Sequence, residues 1–357
     1  MKKKRPVDTT EANRQVSRWL ALGIVMVIIQ ILLGGITRLT GSGLSITEWQ
    51  PFLGAIPPLS QVEWEKSFAL YRQIAQFKKL NGDLTLTGYQ HLYFWEWLHR
   101  EWARLLGMVF MLPFARLLYR RMIGKLLLWP LTGIFLIGIL QGIAGWLMVK
   151  SGLNDTDIRV NHIRLAIHFL LALTLLAAMT WLYLRLRVRG VQTQSYPGLH
   201  VVTAVLLLLL LMQLTYGAFM AGTHAALFAP TWPSINGYFF PAVQLQPGQF
   251  LRQCCNDPLL IQFVHRLCAY LILFCMIIWY VLAGRTGRNY FLNRWRKWPL
   301  LLTVLQIILG ITSLLYSSSA NLIWYALLHQ LNAIFLFVTL LIALYFSKQR
   351  SGLYELT

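Results

Sequence analysis

Four histidines stand out among the titratable residues of this chain. His99, His168, His265 and His329 each lie near one end of a long apolar run. An ionisable ring in such a setting is costly and tends to be functional. Neutral imidazole is a good ligand for iron, copper or zinc. One carboxylate accompanies them: Glu96 precedes His99 by three residues, on the same helix face. Before His265 the matching position is Gln262. The chemistry on offer is metal ligation in two places, with a general base or charge-stabilising carboxylate at only one of them. A salt bridge to Arg100, four residues on, is the competing role for Glu96. Glu101 points elsewhere and reads as interfacial.

The elements that must position these residues are membrane-spanning helices. The chain has 357 residues, 57% of them hydrophobic and 12% charged, far more apolar than a soluble domain. Apolar runs fall at 18–38, 94–118, 126–149, 162–184, 200–222, 260–283, 298–317 and 322–346, each near the length of about 20 residues that crosses a bilayer. The net charge of +20 is carried in short segments between the runs, as membrane topology requires, and forms no basic stripe for nucleic acid. Lys2, Lys3, Lys4, Arg5, Arg14 and Arg18 precede the first run. Arg116, Arg120, Arg121 and Lys125 follow the second, Arg185, Arg187 and Arg189 the fourth. Arg285, Arg288, Arg294, Arg296 and Lys297 follow the sixth, and Lys348 and Arg350 the eighth. With eight spans all of these fall on one side, which makes both termini cytoplasmic. The first run lacks a small-residue cleavage site and reads as an uncleaved helix, and the segment before it is too short for a mitochondrial transit peptide. A bacterial inner membrane is the expected home. Two outer loops are long, 39–92 and 223–259, and are expected to cover a site.

The odd-numbered runs share a pattern. Gln30 and Gly34, Gln141 and Gly145, Gln213 and Gly217, and Gln306 and Gly310 each form Gln-x-x-x-Gly. Residues four apart share a helix face, glycine permits close approach of a helix or a flat ligand, and glutamine can hydrogen-bond across helices. The even-numbered runs each carry one of the four histidines near the outer end. Runs one to four therefore resemble runs five to eight. The expected architecture is all-α and polytopic: two pseudo-symmetric four-helix bundles, residues 1–190 and 191–357, related by an axis along the membrane normal.

Bundles build cofactor sites from facing helices. A bare metal would recruit carboxylates or thiolates, and none lies near His265 or His329. Two histidines across an apolar bundle with glycine making room fit bis-histidine haem ligation. Arg38, Arg100, Arg164 and Arg266 are candidates for the propionates, with membrane-interface anchoring as the alternative. His91, His162, His200 and His224 read as structural or solvated. Cys254 and Cys255 are adjacent, which strains a disulfide, and Cys268 and Cys275 read as packing residues.

The stretches GGITRLTGSGLSITEWQPFLGAIPPL, EWEKSFALYRQ, FWEWLHR, NHIRLAIHFLLA, MAGTHAALFAPTWPSINGYFFP, QFVHRLCAY and LLHQLNA together resemble the heme A synthase family, in its proteobacterial and mitochondrial form. The resemblance covers nearly the whole chain. It implies an oxidoreductase that converts the C8 methyl of haem O to the formyl of haem A. It implies that His265 and His329 ligate a resident haem b and that His99 and His168 hold the substrate haem. It also implies that Glu96 is the family's glutamate. Haem O synthase, an electron donor and a second copy of the chain are the partners it suggests. Some relatives carry a cysteine pair in the first outer loop; this chain has none there, so a thiol route through that loop is closed. A di-haem electron-transfer cytochrome of the b type is the alternative. Internal repeats also occur in transporters, but the polar groups here sit near the outer surface and not at mid-membrane.

Overall fold

The structure is a computed structural model that describes residues 9–48, 53–188, 196–287 and 290–348. Lys2 to Arg5, Arg189, Arg288 and Arg350, which carry part of the charge argument for cytoplasmic termini, lie outside these ranges.

Twelve α-helices make up the fold among the described residues. They are α1 (Thr9–Leu39), α2 (Gln61–Tyr71), α3 (Ala75–Leu80), α4 (Leu86–Tyr119), α5 (Lys125–Lys150), α6 (His162–Arg187), α7 (Pro197–Thr223), α8 (Phe250–Asn256), α9 (Pro258–Gly284), α10 (Phe291–Trp295), α11 (Lys297–Leu315) and α12 (Leu322–Ser347). Among the described residues eight helical stretches are long and apolar enough to span a membrane: α1, α4, α5, α6, α7, α9, α10 with α11, and α12. The expected eight spans are all present.

Local sequence sets where the histidine-bearing helices start. Asn161 accepts hydrogen bonds from the Ile163 and Arg164 amides at the head of α6. Asp257 does the same for Leu259 and Leu260 at the head of α9, with Pro258 in the first turn. Both are side-chain oxygens meeting amides that no helical carbonyl can reach. Pro113 in α4 and Pro130 in α5 are tolerated inside their helices. Each removes a main-chain donor.

Neighbours follow a simple pattern. Among the first four spans, α1 lies against α4 and α6, and α5 against α6. Among the last four, α7 lies against α9 and α12, and α11 against α12. The two sets meet where α6 packs on α7 and α1 on α12. The centre is an apolar core that includes Leu20, Val27, Leu173, Leu176, Leu206, Leu336 and Leu340. Burial ranks the helices accordingly: 50% of the most apolar stretch of α12 is buried, against 11% of that of α4. Lipid offers no hydrophobic drive for helix association, so close packing and polar contacts hold such a bundle. One seam contact shows this. Gln330 of α12 donates to the Ile31 carbonyl of α1 at 2.9 Å and occupies the space that a side chain at Gly35 would need.

The loop between α1 and α4 carries two helices of its own among the described residues. Helix α2 packs on the first turns of α4, and Phe68, Tyr71, Tyr89 and Tyr93 form a cluster there with Leu44 and Ile74, against which Phe77 of α3 packs. Helix α4 therefore begins at Leu86, before the apolar run at 94, because residues 86–93 bury aromatic rings against α2 and not against lipid. A capping box starts α2: Ser60 Oγ accepts from the Glu63 amide, and Glu63 accepts from the Ser60 amide. Trp97 donates to the Ala55 carbonyl and Trp102 to the Met26 carbonyl. These two tryptophans thus tie α4 to the loop and to α1.

Candidate functional site

Each Gln-x-x-x-Gly strip lies against one histidine of a neighbouring helix. On α1, Gln30 donates to the main-chain carbonyl of His99 at 3.1 Å, and a methyl built on Gly34 would stand 3.3 Å from His99 Nε2. On α5, Gln141 Nε2 is 3.4 Å from His168 Nε2, and a methyl on Gly145 would stand 2.8 Å from His168 Cε1. On α7, Gln213 Nε2 is 3.2 Å from His265 Nε2, and a methyl on Gly217 would stand 3.4 Å from Cε1. On α11, Gln306 Nε2 is 3.1 Å from His329 Nδ1, and a methyl on Gly310 would stand 2.9 Å from Cε1. The repeated motif is thus a cradle: glycine lets the imidazole lie against bare helix backbone, and glutamine reaches its histidine from one turn away. Asn332 donates to Gln306 Oε1 at 2.7 Å. The side-chain oxygens of Gln30, Gln141 and Gln213 are buried without a partner among the described residues.

All four histidines and all four cradle glycines line one continuous cavity of about 1200 Å³. Sites for one small molecule are typically about 300–1000 Å³, so the space suits more than one ligand. His99 and His168 are close enough to interact electrostatically, and so are His265 and His329. No cluster of three or more His, Cys, Asp or Glu side chains placed to hold a metal ion occurs among the described residues. Two imidazoles per site are few donors for a bare ion and the right number for the two axial positions of a haem. Among the described residues His168 Nδ1 and His265 Nδ1 are buried without a hydrogen-bond partner, so these two ring nitrogens are not committed to a protein contact. The residues present fit haem.

Beside each first histidine sits a second repeated unit. Glu96 is buried. Its Oε1 accepts from Arg100 Nη2 at 2.7 Å, and its Oε2 accepts from Ser45 Oγ and the Ile46 amide, both at 2.8 Å. Arg100 also donates to the Ile46 carbonyl at 3.2 Å. In the second half, Gln262 accepts from Arg266 at 2.5 Å and donates to the Ala225 carbonyl at 3.2 Å. Arg266 donates further to the carbonyls of Thr231, Pro233 and Ser234. Each pair clips the loop that follows α1 or α7 down over its cradle. Only the first clip contains a carboxylate. The ion pair expected as an alternative role for Glu96 is present, and it coexists with Glu96 lining the cavity.

The other candidates separate clearly. Arg38 lines the cavity and reaches across to α7, where it donates to the Ala221 carbonyl. Arg164 is exposed and donates to the Leu147 carbonyl at 2.9 Å, tying α6 to the end of α5. His91 is exposed. His162 Nε2 lies 2.9 Å from the Cys255 carbonyl, and His200 Nδ1 lies 2.9 Å from Ser347 Oγ. These three fit their structural or solvated reading. His224 does not. It ends α7 in the left-handed conformation (φ 54°) and lines the cavity. Burial, then the charges of Arg38 and Arg159, push its pKa down to about 3. Arg159, in the loop before α6, also lines the cavity, and sequence reasoning missed it. The available signal for His224 was its register: it stands seven residues after the cradle Gly217, as Gly41 stands seven after Gly34. All four cysteines are free.

The family model described as cytochrome oxidase assembly protein (COX15-CtaA) matches residues 17–341. A protein of Parvibaculum lavamentivorans named heme A synthase is 39% identical over 280 residues, covering 78% of this chain and 80% of its own. One of Methylorubrum extorquens (strain PA1) with the same name is 38% identical over 320 residues, covering 89% and 83%. One of Maricaulis maris, also so named, is 37% identical over 357 residues, covering 96% and 99%.

Proposed function

We propose that this chain, which belongs to the COX15-CtaA family of cytochrome oxidase assembly proteins, is a heme A synthase, a multi-pass membrane enzyme whose substrate is haem O. The four matched Gln-Gly-His cradles around one cavity carry the reading, together with the name shared by relatives that cover most of the chain. The finer assignments are ours. The reaction is oxidation of the C8 methyl of haem O to a formyl, through hydroxymethyl and gem-diol stages. Residues 1–190 form the substrate half, with His99 and His168 at the substrate iron. Residues 191–357 form the half that holds a resident haem b on His265 and His329. The equivalent helix neighbours in the two halves support this division. Haem b, when bound, supplies one-electron redox chemistry beside the substrate.

The protein's own residues do the rest. The cradles fix the planes of the imidazoles. Glu96 marks the reactive half, because Gln262 replaces it in the other. A carboxylate has about four lone-pair positions, and Arg100, Ser45 and Ile46 fill three of those of Glu96. The fourth is open for a water or for a proton released from the methyl. Arg100 and Arg266 hold the loops that exclude solvent and lie on the cavity wall, within reach of propionates. The enzyme resides in the bacterial inner membrane with its haem sites toward the periplasm. It receives haem O from the synthase that makes it, draws on an electron donor or acceptor, and assembles with other copies of itself.

A di-haem electron-transfer protein would need equivalent halves and no carboxylate in one of them. The test is haem extraction with pyridine haemochrome analysis of the purified protein. The synthase yields haem b with haem O or haem A. His265→Ala loses the haem b spectrum, whereas His99→Ala keeps it and forms no haem A. Haem b alone in both halves, with no formyl product, would sink the reading.

A further inference from the structure

Three residues on the cavity wall break the repeat together. Arg38 stands four residues after Gly34; the residue four after Gly217 is Ala221. His224 stands seven after Gly217; the residue seven after Gly34 is Gly41. Arg159 stands nine before His168; the residue nine before His329 is Ala320. One seam of the molecule therefore carries two guanidinium groups and an imidazole where the other carries two alanines and a glycine. The three come from the end of α1, the approach to α6 and the end of α7, helices that pack on one another.

Among the described residues no carboxylate forms an ion pair with Arg38 or Arg159. Arg38 Nε is buried without a hydrogen-bond partner among the described residues. Unpaired charge in such a place is costly, and proteins retain it where a ligand supplies the partner. His224 adds a second cost. It holds a left-handed backbone (φ 54°) at the position where Gly41 (φ 69°) does the same without strain. A strained residue kept where the repeat offers glycine points to a use for its side chain. Both Arg38 and His224 are fixed in place, Arg38 by the Ala221 carbonyl and His224 by its cap position.

We propose that Arg38, Arg159 and His224 form a carboxylate site that holds one propionate of the tetrapyrrole substrate and so sets which edge of the macrocycle faces Glu96. This rests on the reading that the cavity takes haem O. The propionates are the only anionic groups of such a ligand, and guanidinium groups match carboxylate geometry. Arg38 lies one turn from Gly34, on the face of α1 that cradles His99. The site therefore belongs beside the substrate iron. The oxidised methyl shares its pyrrole ring with a propionate, so a clamp on that carboxylate places the methyl. The clamp exists once per molecule because only one of the two haems must be held in a single rotational setting.

The experiment compares binding of haem O and haem O dimethyl ester to the detergent-solubilised full chain carrying its haem b, followed by difference absorbance. Charge-assisted bonds to a carboxylate predict that the free acid binds about tenfold or more tighter than the ester. Arg159→Gln and His224→Gly bring the two affinities to within about threefold of each other. The haem b spectrum stays unchanged in both. His224→Gly removes the backbone strain, so a folding defect does not account for its loss of preference. Arg164→Gln, on the exposed side of α6, keeps the full preference. An acid preference that survives in the Arg38→Gln, Arg159→Gln double variant, or its absence from the parent protein, overturns the proposal. Failure of the haem b-loaded parent to bind haem O at all would overturn the substrate reading, and this inference with it.

Discussion

Arg100 Nη2 lies 2.7 Å from Glu96 Oε1, and in the other half Arg266 Nη2 lies 2.5 Å from Gln262 Oε1. The same i to i+4 clip is built once around a carboxylate and once around an amide. The second half shows that the amide suffices to hold a loop. A carboxylate is therefore not required to hold a loop, which is the ground on which we propose a further role for Glu96.

Glu96→Gln tests this directly. The amide oxygen can keep the bond from Arg100, as Gln262 does with Arg266, so the variant should fold and retain haem b. Proton-transfer groups contribute about 100-fold or more to rate, so haem A formation should fall by about that factor while haem O accumulates. Extraction and chromatography of the haems measures it. Normal haem A in a stable Glu96→Gln protein would leave Glu96 with the loop-holding role alone.

The cradle glycines predict a graded series. A methyl at Gly310 or Gly145 falls 2.9 and 2.8 Å from its histidine, closer than carbon atoms pack, whereas one at Gly217 falls at 3.4 Å, ordinary contact. Overpacking of this kind costs about 1–3 kcal/mol. Gly310→Ala should lower haem b occupancy, Gly145→Ala should lower haem O uptake with haem b retained, and Gly217→Ala should be near parental. Absorbance spectra of the purified proteins rank them. Equal loss from Gly217→Ala and Gly310→Ala would mean that imidazole contact is not what the glycines provide.

Asp257 starts the helix that carries Gln262, His265 and Arg266. Loss of such a cap costs about 1 kcal/mol. Asp257→Ala should lower the thermal midpoint in detergent and release haem b at lower temperature, whereas Asp257→Asn should be nearly neutral, since Asn161 caps α6 in the same way. A destabilisation by Asp257→Asn equal to that of Asp257→Ala would require a role for the negative charge itself.

His224 adds an acid-sensitive component. Its pKa falls from 6.5 to about 3 in the folded protein. The unfolded chain therefore binds more protons than the folded one between those values, and stability declines as pH drops through that window. His224→Gly should lose less stability than the parent across the same range, measured as thermal midpoint against pH. Parallel curves for the two proteins would show that His224 binds protons alike in the folded and unfolded chain.

The sequence by itself determined much of this protein. Eight spans, the positions of His99, His168, His265 and His329, the four Gln-x-x-x-Gly strips and the Glu96–Gln262 asymmetry are local or periodic features. A helix turns such spacing into a shared face without help from the rest of the chain. The start of α4 was less legible, because Tyr89 and Tyr93 owe their helical place to packing against α2. What only the tertiary structure decided is which groups meet. Gly145 meeting His168, Gln330 crossing to Ile31, and Arg38 reaching Ala221 beside His224 and Arg159 join residues up to 299 positions apart. Arg38 and Arg164 are both arginines near helix ends, and their spacing in the chain does not tell them apart. Packing turned one into the cavity, where no carboxylate among the described residues pairs with it, and left the other at the surface, because burial and neighbours are properties of the assembled bundle and not of any one helix.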